Sequence, residues 1–487
     1  MSRRVLIFIA LVLVPCFLYG QKDQSIKEFK YYYNRNLNEF KEARAKANKE
    51  FVEYLAKAWE EFQVSRAKDD PVGLLPDEPT FYNGNISQTS SSSSVHGYPC
   101  GMFAVPAPRP SAVPAIAAHS PADNYIRVDF FGIPENIPFS SDMRLSRINA
   151  NENDVSKGWQ KLSNSSYQET VDALLVLKEQ LSLSDWAIYT TIKKITDAVY
   201  SDEFINQRVL TQMFLLSQMN YRVRTGAYGD ELILLLPFDS PVYQVSYISD
   251  DGLDYYIYSY SRLNSSKPLY SFGDDFSMSD KSLSLVRNRS LSVGYDFYQL
   301  KELKLWEPYM GEKISLPINI PLVQFTLDYP QSDLLTYHKS AVDGELKKTL
   351  FKALRYKIIK DEMTAEQAVA FVLNLIQHGF VYKTDYEMFG RAKPLFVEES
   401  FFYGSNNCKD RVLIFSWIVR DLLGLDVLML TYPGHVACAV NLGNNVKGDT
   451  FNYNGAKYVM CDPTYIGAPI GETMPKFKNV NPTIDKL

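Results

Sequence analysis

Cysteine is scarce in this chain. Five residues in 487 are too few for a disulfide framework, and positions 16, 100, 408, 438 and 461 contain no C-x-x-C pair of the kind that builds zinc sites. A basic excess is also lacking: 51 Lys+Arg face 56 Asp+Glu, a net charge of −5, which argues against general nucleic-acid binding. With 46% hydrophobic and 22% charged residues the chain is too apolar to be wholly disordered, and it is long enough for two or three globular domains. The uncharged run Val5 to Tyr19, behind Arg3 and Arg4, is shorter than the ~20 apolar residues of a membrane span. It reads as a secretory signal peptide (residues 1–20) cut after Gly20, which removes Cys16. Pro15 stands where a lipoprotein signal wants a small residue, so lipid anchoring at Cys16 is not expected. The mature chain is expected outside the cytoplasm, periplasmic or extracellular, with no stable membrane span.

Glycine and proline are absent from Gln21 to Asp70, where Ile26, Phe29, Tyr33, Leu37, Phe40, Ala47, Phe51, Leu55, Ala58 and Phe62 recur at helical spacing. This predicts an amphipathic helical segment over 21–70. Its polar face mixes both signs, which favours packing on protein over a membrane surface. Residues 71–124 then read as a Pro/Ser-rich linker, with nine of the 25 prolines before residue 122 and serines from Ser90 to Ser94. His96, Cys100 and His119 lie in it, a poor setting for a metal, and neither metal nor cofactor is expected.

The chemistry gathers near the C-terminus. Thr364-Ala-Glu-Gln367 is a capping-box pattern opening a helix. After Val381-Tyr382 a loop of about 25 residues leads to Gly404-Ser405-Asn406-Asn407, good helix N-caps, and then Cys408. The apolar run Val412 to Leu423 predicts a buried helix stopped by Gly424. Cys408 therefore falls in a first turn, where unpaired N–H groups and the dipole favour a thiolate. Val427 to Leu430 and Val436 to Val440 read as strands around a turn, with His435 opening the second. Lys457 to Cys461 reads as another strand, ending at Asp462. A thiol, an imidazole and a carboxylate in that order are what nucleophilic cysteine catalysis requires. Cys438 and Cys461, inside strands, read as small buried side chains.

These motifs, Asn407-Cys408-Lys409-Asp410-Arg411, Tyr-Pro-Gly-His435 and Cys461-Asp462-Pro-Thr-Tyr, resemble the catalytic core of the transglutaminase-like superfamily, a papain-like thiol fold frequent in secreted bacterial proteins. The resemblance covers roughly residues 350 to 475. It implies Cys408 as nucleophile, His435 as general base, Asp462 as the group orienting it, and Asp410 as a supporting residue; Asn407, as an N-cap before Cys408, is taken as supporting too. Many members carry Asp before the cysteine and Glu after it; here Asn407 and Lys409 stand there, and Lys409 either helps hold a thiolate or faces solvent.

An internal echo sets the domain plan. Arg208-Val-Leu, Phe214-Leu-Leu, Tyr221-Arg-Val223 and Glu231 to Leu236 repeat the pattern of Arg411-Val-Leu, Trp417-Ile-Val, Leu425-Asp-Val427 and His435 to Val440. In this alignment Ile205, Glu231 and Ser259 stand opposite Cys408, His435 and Asp462. The expected architecture is α+β, with a degenerate transglutaminase-like copy over 125–265, a small β-rich connecting region over 266–345 and the catalytic domain over 346–487. The expected function is a secreted thiol enzyme acting on amide bonds through a cysteinyl thioester: a peptidase or amidase, or a transamidase, on peptide or protein substrates such as cell-wall peptides. The alternative is a non-catalytic secreted binding or scaffold protein built from such modules.

Overall fold

A computed structural model describes residues 23–67, 80–82, 124–262, 268–304 and 313–487. The signal-peptide reading, His96, Cys100, His119 and most of the 71–124 linker lie outside them. The architecture is mixed α+β. Helix α1 (Asp23–Leu55) is followed by two short strands, β1 (Glu60–Phe62) and β2 (Ser65–Arg66), so the helical expectation for 21–70 fails beyond Leu55. Ala58 lies outside the helix and Phe62 is a strand residue.

Next come the hairpin β3 (Tyr125–Phe130) and β4 (Ile133–Pro138), and helices α2 (Glu152–Ser163), α3 (Tyr167–Gln180), α4 (Asp185–Val199) and α5 (Ile205–Gln218). Strands β5 (Arg224–Tyr228), β6 (Glu231–Pro237), β7 (Ser246–Asp250), β8 (Leu253–Tyr258) and β9 (Leu269–Ser271) follow. The sheet order is β1-β9-β5-β6-β8-β7-β2. Phe62 and Ser65 are only three residues apart, a reach of about 10 Å, whereas a flat sheet of that order would be about 29 Å wide. The sheet must therefore curl until the Glu60–Arg66 segment closes it. Ile233, Leu235, Ile248, Tyr255, Ile257 and Leu269 fill one face, while Leu232, Leu234 and Leu236 point at the helices. This two-sided burial explains why Leu232 to Leu236 is apolar without alternation.

Strands β10 (Tyr298–Lys304) and β11 (Lys313–Asn319) form a hairpin, followed by α6 (Ile320–Thr326), α7 (Leu334–Lys339) and α8 (Gly344–Lys360). The expected β-rich region at 266–345 is thus partly helical, and its first strand, β9, belongs to the preceding sheet. The last unit holds α9 (Ala365–Gly379), β12 (Val381–Tyr382), α10 (Asp385–Phe389), α11 (Val397–Tyr403), β13 (Ser405–Asn406) and α12 (Cys408–Ile418). Two short helices therefore occupy what sequence suggested was a loop. A single π-helical turn, Val419–Leu423, ends at left-handed Gly424. Strands β14 (Val427–Tyr432), β15 (His435–Val440), β16 (Thr450–Tyr453), β17 (Ala456–Cys461) and β18 (Thr483–Lys486) form a sheet of order β16-β17-β15-β14-β18.

The two sheets share a plan. β9-β5-β6-β8-β7 in the first runs in the same order as β18-β14-β15-β17-β16 in the second. Registers agree as well: Tyr228 pairs Glu231 where Tyr432 pairs His435, and Leu234 pairs Tyr258 where Cys438 pairs Cys461. Helix α5, opened by Ile205, packs on β6 as α12, opened by Cys408, packs on β15. Arg208 donates to the carbonyl of Tyr200, just past α4, and Arg411 to that of Phe380, just past α9.

Candidate active site

Cys408 is the first residue of α12, behind the N-cap Asn407, and is 3% exposed. His435 opens β15 after a two-residue turn, Pro433-Gly434, whose second residue has φ +73°, a value glycine adopts without strain. Asp462 follows β17, which is hydrogen-bonded to β15. The three residues come together on one edge. His435 Nε2 lies 2.8 Å from Asp462 Oδ2, and Cys408 is near enough to favour the charged imidazole. Because Asp462 holds Nε2, Nδ1 is the nitrogen left for the thiol. Burial opposes charge on His435, but Asp462 and Cys408 outweigh it and raise its pKa to about 10.

The carboxylate is itself held. Asp462 Oδ1 accepts the N–H groups of Thr464 (2.8 Å) and Tyr465 (3.2 Å). Gln377, near the end of α9, donates Nε2 to the carbonyls of Asp462, Tyr465 and Ala468 at 3.0, 2.9 and 3.1 Å, and accepts from Gly467 N–H. Arg411, fully buried, donates to Asn406 Oδ1 (3.0 Å) and to the carbonyls of Phe380, Gln377 and Pro463. Burial pushes its guanidinium down to about 10 despite the anions around it. These two residues pin the turn after Asp462 to the helices, and both escaped the sequence reading. The signal was there for Arg411: a charge inside an apolar helix needs buried acceptors.

The supporting residues form a second buried network. Asp410 accepts the backbone N–H of Asn407 (3.2 Å) and of Leu395 (2.9 Å), and burial pushes its carboxyl up to about 6 against the pull of Lys409. Asn407 donates Nδ2 to Asp385 Oδ1 at 2.7 Å. Lys409 does not face solvent: it is 6% exposed, and its ammonium reaches both Asp385 oxygens at 2.7 Å and Asn407 Oδ1 at 3.1 Å. Burial works against that charge, yet Asp410, Asp385 and Cys408 keep its pKa above the ordinary lysine value. The backbone on both sides of the thiol is thereby fixed by one ion pair.

Aromatic rings close the front. The Phe477 ring stacks on His435 with centroids 5.1 Å apart and planes 7° apart, and Tyr432 stacks on Phe477 at 4.7 Å. Residues 80–82 reach the same region from the linker: Tyr82 N–H donates to the Ile466 carbonyl, and its ring meets Tyr465. Burial pushes the thiols of Cys438 and Cys461 well above their ordinary pKa. Among the described residues no cluster of His, Cys, Asp or Glu could hold a metal ion, and no helix is long and apolar enough to cross a membrane. Comparisons with family models, curated proteins and solved structures return no match.

In the first unit, Glu231 Oε1 accepts from Ser261 Oγ at 2.9 Å, while Ile205 and Ser259 stand at the positions aligned with Cys408 and Asp462. Among the described residues, the thiol–imidazole–carboxylate set is found in the second unit.

Proposed function

We propose that the chain is an exported thiol enzyme of transglutaminase-like type, acting on amide bonds of peptide or protein substrates, with cell-wall peptides a natural class. The observation that carries this reading is the His435–Asp462 pair at 2.8 Å, with its imidazole in electrostatic contact with a cysteine at a buried helix N-terminus. His435 takes the thiol proton, and Asp462 stabilises the imidazolium so formed. The sulfur attacks the carbonyl carbon, and the oxyanion is met by the Cys408 backbone N–H. His435 returns the proton to the departing amine, leaving a thioester. Water then gives hydrolysis; a second amine gives transamidation. The first unit, with the same strand order and no triad, serves as a degenerate copy that scaffolds the second.

Turnover of a peptide library by the wild-type protein beside Cys408→Ala tests the reading. Cysteine-dependent release of new amines supports it, and identical traces for the two proteins overturn it. The binding or scaffold alternative draws on one observation: with Cys408 3% exposed and Phe477 over His435, the site is covered in this structure.

A further inference from the structure

Thioester chemistry needs more than one donor at the oxyanion, because each donor aimed at the developing charge contributes separately. Cys408 supplies its own N–H, one of the groups at a helix start that have no intrahelical partner. Two positions earlier, at a Cα separation of at most about 7 Å, stands Asn406. Its side chain is 0% exposed. Arg411 Nε lies 3.0 Å from Oδ1, and a guanidinium only donates, so the oxygen of the amide must face Arg411 and the NH2 must face the other way. That buried NH2 has no hydrogen-bond partner among the described residues.

An orphaned buried donor of this kind is costly and calls for an explanation. Ser405 Oγ and Thr464 Oγ1, on the segments flanking the triad, are orphaned too, but a hydroxyl rotates and both donates and accepts. The Asn406 NH2 can only donate, so its partner must be an acceptor. We infer that Asn406 Nδ2 is the second oxyanion donor of the Cys408 site, held toward the substrate carbonyl by the bond from Arg411 Nε to Asn406 Oδ1. This rests on the thioester reading above and adds to it a catalytic residue, with Arg411 as its positioning residue.

Two reactions of the same sulfur separate the roles. Acylation by p-nitrophenyl acetate passes through a tetrahedral oxyanion: the S–C bond forms, the C–O bond to the aryl group breaks, p-nitrophenolate leaves with the electron pair, and His435 receives the thiol proton. Alkylation by iodoacetamide displaces iodide and creates no oxyanion. Asn406→Asp keeps the oxygen that Arg411 binds and removes the donor; Asn406→Ala removes both without adding charge. In both variants acylation of Cys408, followed in the full chain by p-nitrophenolate release and by the mass of the Cys408 peptide, is expected to slow about 100- to 1,000-fold, while alkylation stays within about threefold of wild type. Undiminished acylation in either variant overturns the assignment, as does an equal fall in both reactions, which marks a structural residue. If wild type acylates no faster than Cys408→Ala, the thioester reading itself fails and the assignment falls with it.

Discussion

Replacing Lys409 by Met strips the counter-charge from a buried carboxylate. The ammonium sits 2.7 Å from both oxygens of Asp385, and both side chains are under a tenth exposed. Removing one member of such a pair typically costs about 3–5 kcal/mol, because the other charge stays buried and uncompensated. Asp385 retains the Asn407 amide and the Lys393 backbone N–H, so about 3 kcal/mol is the expected figure here. At ~2.1 cal/mol/K per residue, 487 residues melting as one unit have an unfolding entropy of about 1 kcal/mol/K, which converts the loss to a melting-temperature drop of about 3 °C. Adding Asp385→Asn should recover at least half of that, since a neutral amide still serves Lys393 N–H and can pair with a flipped Asn407. Scanning calorimetry of wild type, the single and the double variant measures all three. A single variant within about 1 °C of wild type, or a double variant no better than the single, refutes the claim that this ion pair fixes the backbone around the thiol.

Further outcomes follow from the same geometry. Asp462→Asn keeps the turn after β17 but removes the charge facing His435, so iodoacetamide alkylation of Cys408 at pH 6 should slow about 100-fold or more; an unchanged rate contradicts the role of Asp462. Phe477→Ala uncovers the imidazole face, and Cys408 should alkylate several-fold faster while the protein melts lower by the loss of a buried ring; slower labelling contradicts the cover. His338 accepts from Arg420 at Nε2 and lies 3.1 Å from Ser416 Oγ, and burial, with Arg420 beside it, pushes its pKa down to about 4. The unfolded chain then takes up a proton near pH 6.5 that the folded chain refuses until about pH 4, so stability falls on acidification through that window. Melting curves between pH 4 and 7 should fall less steeply for His338→Gln, and parallel curves would contradict this.

Local signals carried much of the fold. The Thr364–Gln367 capping box, the Cys408 helix start, the Pro433-Gly434 turn and the apolar runs of β14 and β15 are each set by residues a few positions apart, and each is found where the sequence put it. What sequence could not supply were long-range partners and short elements. Two- and three-residue strands have no period to detect, so Glu60–Arg66 read as helix when it closes a curled sheet. Helices α10 and α11, of five and seven residues, were hidden in a polar and aromatic loop. Lys409 read as either a thiolate partner or a solvent-facing charge because its partner Asp385 lies 24 residues away, and the holding roles of Gln377 and Arg411 depend on carbonyls up to 91 residues distant.

The claim that matters most is that His435 activates Cys408. Carboxamidomethylation of the intact folded protein at pH 6.5, quantified per cysteine by peptide mass mapping, tests it in wild type and His435→Gln. The account predicts that Cys408 labels first in wild type, far ahead of Cys438 and Cys461, and slows at least tenfold in the variant while circular dichroism shows the variant still folded. Equal Cys408 rates in the two proteins would contradict it.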